Sequence, residues 1–550
     1  MAVPRRLAII LASAVGLVAP TAMVATAADP GVAATGSTVL KPVLVSGAVL
    51  TDTTPPLAQM PVIRPTEAPV PDGEDSLAVP ADAGHSTDGA LQDSVGTTAL
   101  PGPALTFEGQ RNTDNPFLVS PPDPNGDVGM HHYIEMVNLT FAVYSKAGQR
   151  LYGPATLGTI WQGFLPDCQD QSGDPVVLYD KTANRWLLSQ FTTRGPEFFN
   201  CVALSNTQDP LGSYTRYAFS TGPNFPDYPK YGTWSDGYYI TTREFAPDDS
   251  FAGVGIYALD RRQMLGGSTT PRLVKFVLGP DPAYLPGDGL LPADLDGKRL
   301  PPPGSPEYLV GSMDDGGGYG APFDGLNVFT AKINWAKPAT STFALSKQLP
   351  IAPYDTVFPC SPGSRNCIEQ PGTANKIDIL SYRQRPTWRL AYRNLGDHEA
   401  LVTNQSVEAR SGIAGARWWE IRSPANAVLH QEGTYAPDDG VNRWMGSVAM
   451  DKNGDMALGY SVSNATDVYP GIRYTGRVPG DPAGVMGQGE QVLVNGSGSQ
   501  TVSARWGDYT SMNVDPTDDC TFWYVNEYYQ TSSARGWQTR IGAFKFPNCS

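Results

Sequence analysis

The feature that most restricts what this chain can fold into is a loose repeat. A short strand-like run leads into a tight turn holding Asp, Asn or Gly, and a second run rich in aromatic residues follows. Gly173–Asp180 turns into Arg185–Phe191. Asp227–Trp234 passes through Ser235-Asp236-Gly237 into Tyr238–Thr242. Arg443–Met450 passes through Asp451–Gly454 into Met456–Tyr460, and Arg505–Val514 passes through Asp515–Asp519 into Phe522–Glu527. Fainter copies lie at 127–137, 308–329 and 377–392, which brings the number of units to seven. One four-stranded unit cannot bury both of its faces, whereas a closed ring of such units can. The expected fold is therefore all-β, a β-propeller of seven blades. A β-sandwich or jelly roll is the competing architecture.

The last unit shows three strands and lacks a fourth. A strand from near Ala104–Gln110 is expected to complete it and close the ring.

Ahead of the repeats the composition changes. Residues 1–27 read as a secretory signal peptide: Arg5-Arg6, then an apolar run over Leu7–Val18, then Ala25-Thr26-Ala27 as a cleavage site. Residues 28–104 hold no Phe, Tyr, Trp or Cys and are rich in Pro, Ala and Thr. Such a segment has too little apolar surface for a core of its own, so a disordered spacer is expected there, with the propeller over 105–550. No other stretch is long and apolar enough to span a membrane.

Six cysteines in an exported chain suggest three disulfides, and proximity in sequence favours Cys168–Cys201, Cys360–Cys367 and Cys520–Cys549. The net charge of −15 speaks against nucleic acid and against anionic lipid as partners. An extracellular glycan or protein ligand is expected, and a monomer.

Asp127, Asp174, Asp227 and Asp508 stand just before or at the start of the first strand of their units. First strands of a propeller line its central channel, so these carboxylates are expected at one mouth, where they could act as acid and base or nucleophile in glycoside hydrolysis. The competing reading makes each a turn cap within its own unit. Arg443-Trp444 and Arg505-Trp506 are candidates for gripping a sugar or an anion, or else pack between blades. His398, in Gly396-Asp-His-Glu399, is a candidate base or ligand-binding group. Two segments read D-x-N-G-D, at 123–127 and 451–455. Their alternating oxygens suit calcium, and Asp123, Asn125 and Asp127 are the first choice of ligands. Asn453-Gly454 is equally a strong hairpin signal.

The Asp-containing turns followed by aromatic strands, as in Asp515–Trp523, resemble those of secreted sialidase-like, Asp-box propellers. The resemblance implies the fold. A complete S-x-D-x-G-x-x-W box, the arginine triad and the Tyr/Glu pair of a sialidase are missing from the sequence. Three functions are therefore open: a glycoside hydrolase on an extracellular polysaccharide, a non-catalytic glycan- or protein-binding propeller, and a polysaccharide lyase.

Overall fold

The computed structural model describes residues 39–63, 87–170, 173–316, 318–356, 366–379 and 384–550. The signal peptide expected over 1–27 and Cys360 lie outside them. Among the described residues no helix is long and apolar enough to cross a membrane.

The chain is all-β, a β-propeller. Its strand order resolves into seven four-stranded antiparallel units among the described residues. Their first strands are Asn125–Val128, Val176–Asp180, Phe225–Thr233, Leu291–Asp296, Thr387–Asn394, Asn442–Met450 and Ser511–Val514. Each first strand touches the next in this order, and that of unit 7 returns to that of unit 1. Units 4 and 5 pair directly and in parallel, from Ala293–Leu390 to Asp296–Arg393. Elsewhere side chains join the ring. Asn125 Oδ1 and Asp127 Oδ2 accept from the amides of Val177 (2.8 Å) and Tyr179 (2.7 Å), tying unit 1 to unit 2. Asp294 does the same for Thr233 at 3.0 Å, and Ser447 Oγ for Met512 at 3.0 Å.

The Asp turns are architectural. Asp180 Oδ1 accepts from the amides of Thr182 and Ala183, and Asp515 binds the Thr517 amide and the Trp523 indole N–H. Leu105–Arg111 pairs with Gln538–Phe544 and supplies the fourth strand of unit 7, so the ring closes with both ends of the domain, as the sequence suggested. Cys168–Cys201 and Cys520–Cys549 are disulfide-bonded.

The expectation of a disordered spacer over 28–104 fails at 39–63 and 87–104. Val39–Leu40, Leu44–Gly47 and Leu50–Thr53 each add a strand to the outer edges of units 4, 3 and 2 in turn. Leu57 and Met60 are buried in an apolar cluster that units 1 and 2 share, where the Leu57 amide donates to the Gly212 carbonyl of unit 2 and the Met60 carbonyl accepts from Tyr152 in the last strand of unit 1. Leu91–Gln92 then runs along unit 5, Thr98 bridges to Gln488 in unit 6, and the chain enters unit 7. One belt thus meets the outer edge of every unit. The composition argument asked whether the segment could build its own core. An added strand needs no core of its own: it satisfies backbone groups that the edge strand leaves unpaired.

Candidate functional site

The residues leading into the first strands gather at one end of the channel. Asp123, Asp174 and Tyr228 all have left-handed backbones there (φ 48°, 45° and 53°). Non-glycine residues seldom adopt this conformation, which costs of order 1–3 kcal/mol each and persists where the surroundings enforce it.

Hydrogen bonds from several units hold the cluster. Asp123 accepts from the Asp508 amide and from the Asn138 side chain, both at 2.7 Å, and Asn138 Oδ1 accepts from the Asp174 amide at 3.0 Å. The Tyr509 hydroxyl lies 3.1 Å from Asp174 and 3.0 Å from the Pro229 carbonyl. Lys230 Nζ sits between two aromatic faces, 3.1 Å from the Tyr228 centroid and 3.5 Å from that of Tyr509.

Arginines link the carboxylates. Arg243 bridges Asp288 (2.8 Å) and Asp227 (3.4 Å); Arg385 reaches Asp288 (3.6 Å) and Asp508 (3.9 Å); Arg505 reaches Asp508 (3.3 Å) and Asp378 (3.8 Å). Most of these groups are buried; Asp227 and Arg505 keep about a fifth of their side-chain surface, 20% and 22%, open to solvent.

Burial sets the protonation of this cluster. It pushes Asp123 up to about 7, helped by the neighbouring charge of Asp508. It raises Glu527 well above the carboxylate range. It drives Lys230 well below the usual lysine value, and the opposing pull of Asp174 is smaller.

Asp174, Asp227 and Asp508 therefore do meet, and Asp123 joins them. Asp127 does not. It lies one staple further along the channel, in a closed network with Lys181, Asp294, Asp296 and Arg389, where Lys181 and Asp296 are 2.8 Å apart. Burial raises Asp127 to about 6, and its oxygens bind the amides of Val128 and Tyr179. The expected calcium set of Asp123, Asn125 and Asp127 is divided the same way. Asn125 and Asp127 bind unit 2 amides, while Asp123 faces Asn138 and Asp508.

Arg443 is buried inside unit 6, paired with Asp439 and Glu490 at 2.7 Å each, away from the mouth. Trp444 and Trp506 are fully buried against each other, with centroids 5.6 Å apart, so neither presents a face to a sugar. The large apolar area of each indole drives it into the seam between units. His398 belongs to the turn between the first two strands of unit 5, at the opposite end of the ring. It lies 2.9 Å from Asp397 and lines a cleft of about 260 Å³ with His430, Glu420 and Arg477.

Lys230, Tyr228 and Tyr509 were missed although they adjoin residues that were singled out. Asp288 and Arg385 were missed because the repeats of units 4 and 5 are faint. Both still obey the rule that found the others: a polar residue just ahead of a first strand.

No family model matches the sequence, and no curated protein matches it. Solved structures do resemble it. An α-L-arabinofuranosidase from Fusarium graminearum, in complex with an iminosugar inhibitor, is 10% identical with a TM-score of 0.34, covering 83% of this chain and 99% of its own. A Penicillium chrysogenum α-L-arabinanase complexed with arabinobiose is 7% identical with a TM-score of 0.33, covering 70% and 99%. A mutant Cellvibrio cellulosa α-L-arabinanase is 10% identical with a TM-score of 0.28, covering 68% and 95%. None of the three is described as a sialidase, and at such identities no residue role passes from them to this chain.

Proposed function

We propose that this chain is an extracellular, monomeric, seven-bladed propeller that acts as a glycoside hydrolase on a polysaccharide. One observation carries the reading: Asp123, Asp174, Asp227 and Asp508 come from four different units and converge at one end of the channel, with arginines and tyrosines between them. Hydrolysis of a glycosidic bond needs one protonated and one ionised carboxyl group close together. Crowding in a buried site separates their proton affinities, and Asp123 already stands near 7 beside Asp508. Asp227 and Arg505 lie at the open side and meet the sugar first; Asp123, with both oxygens held, positions Asp508.

The test is release of reducing ends from a panel of plant and bacterial polysaccharides by wild type and by D174N, D227N and D508N, with melting temperatures alongside. The proposal expects turnover to fall by orders of magnitude in at least two variants while the melting temperature moves by a few degrees. Unchanged turnover in all three would end it.

The ion pairs favour a second reading. Asp288 and Asp508 each face arginines, and such ion pairs suit recognition of a charged or polar ligand without cleavage. A binding module would retain a polysaccharide in affinity electrophoresis without cleaving it, and R505A would lose that retention.

A further inference from the structure

A cleft of about 260 Å³ lies between units 5 and 6, at the end of the ring opposite the carboxylate face. Unit 5 lines it with His398 from its first turn, Glu420 and Arg422 from Ile413–Arg422, and His430 from Val428–Tyr435; unit 6 adds Arg477. The space is smaller than the roughly 300–1,000 Å³ that encloses a drug-sized molecule, so it suits one polar head group.

His398 is held at one ring nitrogen and left open at the other. Nδ1 lies 2.9 Å from Asp397 Oδ1, and the His398 carbonyl fixes the turn by accepting from the Leu395 amide at 2.9 Å. His398 holds the Asp397 carboxyl below its ordinary value, and an ionised carboxylate only accepts, so Nδ1 carries the proton. Nε2 is buried and has no hydrogen-bond partner among the described residues. Such atoms are rare in native proteins and call for a ligand.

The buried carboxylate of the cleft is engaged, while its guanidinium groups keep capacity. Glu420 Oε1 lies 2.6 Å from Arg422 Nε, and Oε2 lies 2.5 Å from the Gln431 side-chain amide. Arg422 uses only Nε there; its two terminal nitrogens make no hydrogen bond among the described residues. Arg477 donates to the backbone carbonyls of Asp481, Pro482 and Val485 rather than to a carboxylate.

We propose that this cleft binds a phosphate group, as free phosphate or as a sugar phosphomonoester, between Arg422 and His398. The arginine fork matches phosphate oxygens in pairs. A phosphate also fits Nε2 whichever partner holds the proton. It accepts from a charged imidazole, and its second ionisation at about pH 6 lets it bring a proton to a neutral one. Sulfate has no such proton. The guanidinium groups oppose a metal ion, and among the described residues the groups of His, Cys, Asp and Glu close enough to share one include neither His398 nor His430. The site stands apart from the carboxylate face, and the assignment holds whether or not that face cleaves glycans.

The full chain, dialysed free of phosphate, is titrated calorimetrically with sodium phosphate, a hexose 6-phosphate, sodium sulfate and zinc chloride, alongside H398Q and R422K and their melting temperatures. Expected are saturable binding of phosphate or of the sugar phosphate, sulfate weaker by about tenfold, and a loss of about tenfold or more in each variant, the size of one lost charge-assisted hydrogen bond. The tighter of the two phosphates identifies the occupant as the free anion or a glycan substituent. No binding of either, sulfate as tight as phosphate, or phosphate binding that survives in both variants overturns the proposal. Zinc binding that H398Q loses, with no phosphate binding, would make His398 a metal ligand instead. If neither variant folds, the histidine ring signals of wild type decide by NMR: added phosphate that moves one or two of them supports the site, and phosphate that moves none removes it.

Discussion

Arg417 and Asp88 are completely buried and lie 3.0 Å apart, joining the belt to unit 5; Glu432 and the Ala352 carbonyl take the rest of the guanidinium. Removing one partner of such a pair strands the other charge. R417A should therefore lose about 3–5 kcal/mol in urea unfolding. Asp127 makes a second test. Its competing sequence reading, as a residue that binds backbone amides, fits the structure better than its catalytic one, although its oxygens serve unit 2 as well as its own unit. D127A should cost about 1–3 kcal/mol and leave turnover per folded molecule unchanged. At this scale the sequence could place carboxylates ahead of first strands. It could not tell Asp127 from Asp508, because a few residues of offset along one strand separate an inter-unit staple from the mouth. Nor could it tell an exposed tryptophan from Trp444 and Trp506, since both environments favour an indole beside an arginine.

Among the elements, the repeat was legible because each hairpin carries its own turn chemistry and aromatic strand, and Leu105–Arg111 was legible as the missing partner of unit 7. The belt was not. Its strands are two to four residues long, lack aromatics, and take their order from edges hundreds of residues away: Val39 pairs with Ala344, and Leu50 with Ala218. Composition measures what a segment does alone. A chain beginning at Pro101 should therefore aggregate or melt well below the full chain, since the outer edges of units 2, 3 and 4 lose their added strands. Size-exclusion chromatography and a thermal melt check this; a monodisperse protein of unchanged melting temperature would show the belt to be dispensable. The single change L57A should cost about 2–5 kcal/mol, because Leu57 is fully buried in the apolar cluster that units 1 and 2 share.

Over the whole molecule, buried carboxyls bias stability toward mild acid. Burial raises Asp123 and Glu135 to about 7, and Asp127, Asp314 and Asp324 to about 6. A carboxyl raised on folding binds its proton more tightly in the native state. Stability from these groups is thus present at low pH and is lost as pH climbs from the unfolded carboxylate range toward 6–7. Asp180 and Asp296 are held low, Asp180 by Arg261 and Asp296 by Arg389 and Lys181, and they contribute in the opposite sense, losing stability as pH falls below about 4. The melting temperature should therefore peak near pH 5 and be lower at pH 8. A flat profile or a maximum at pH 8 would contradict the burial of these groups. The belt also sets a timetable. Its strands wait on partners made later, Leu50 on Ala218, Leu44 on Lys275 and Val39 on Ala344, so Val39–Leu40 stays unpaired until residues near 344 have been made. The belt therefore locks last, and pulsed hydrogen exchange during refolding should find the amides at Val45 and Thr51 protected after those of Leu188 and Val202.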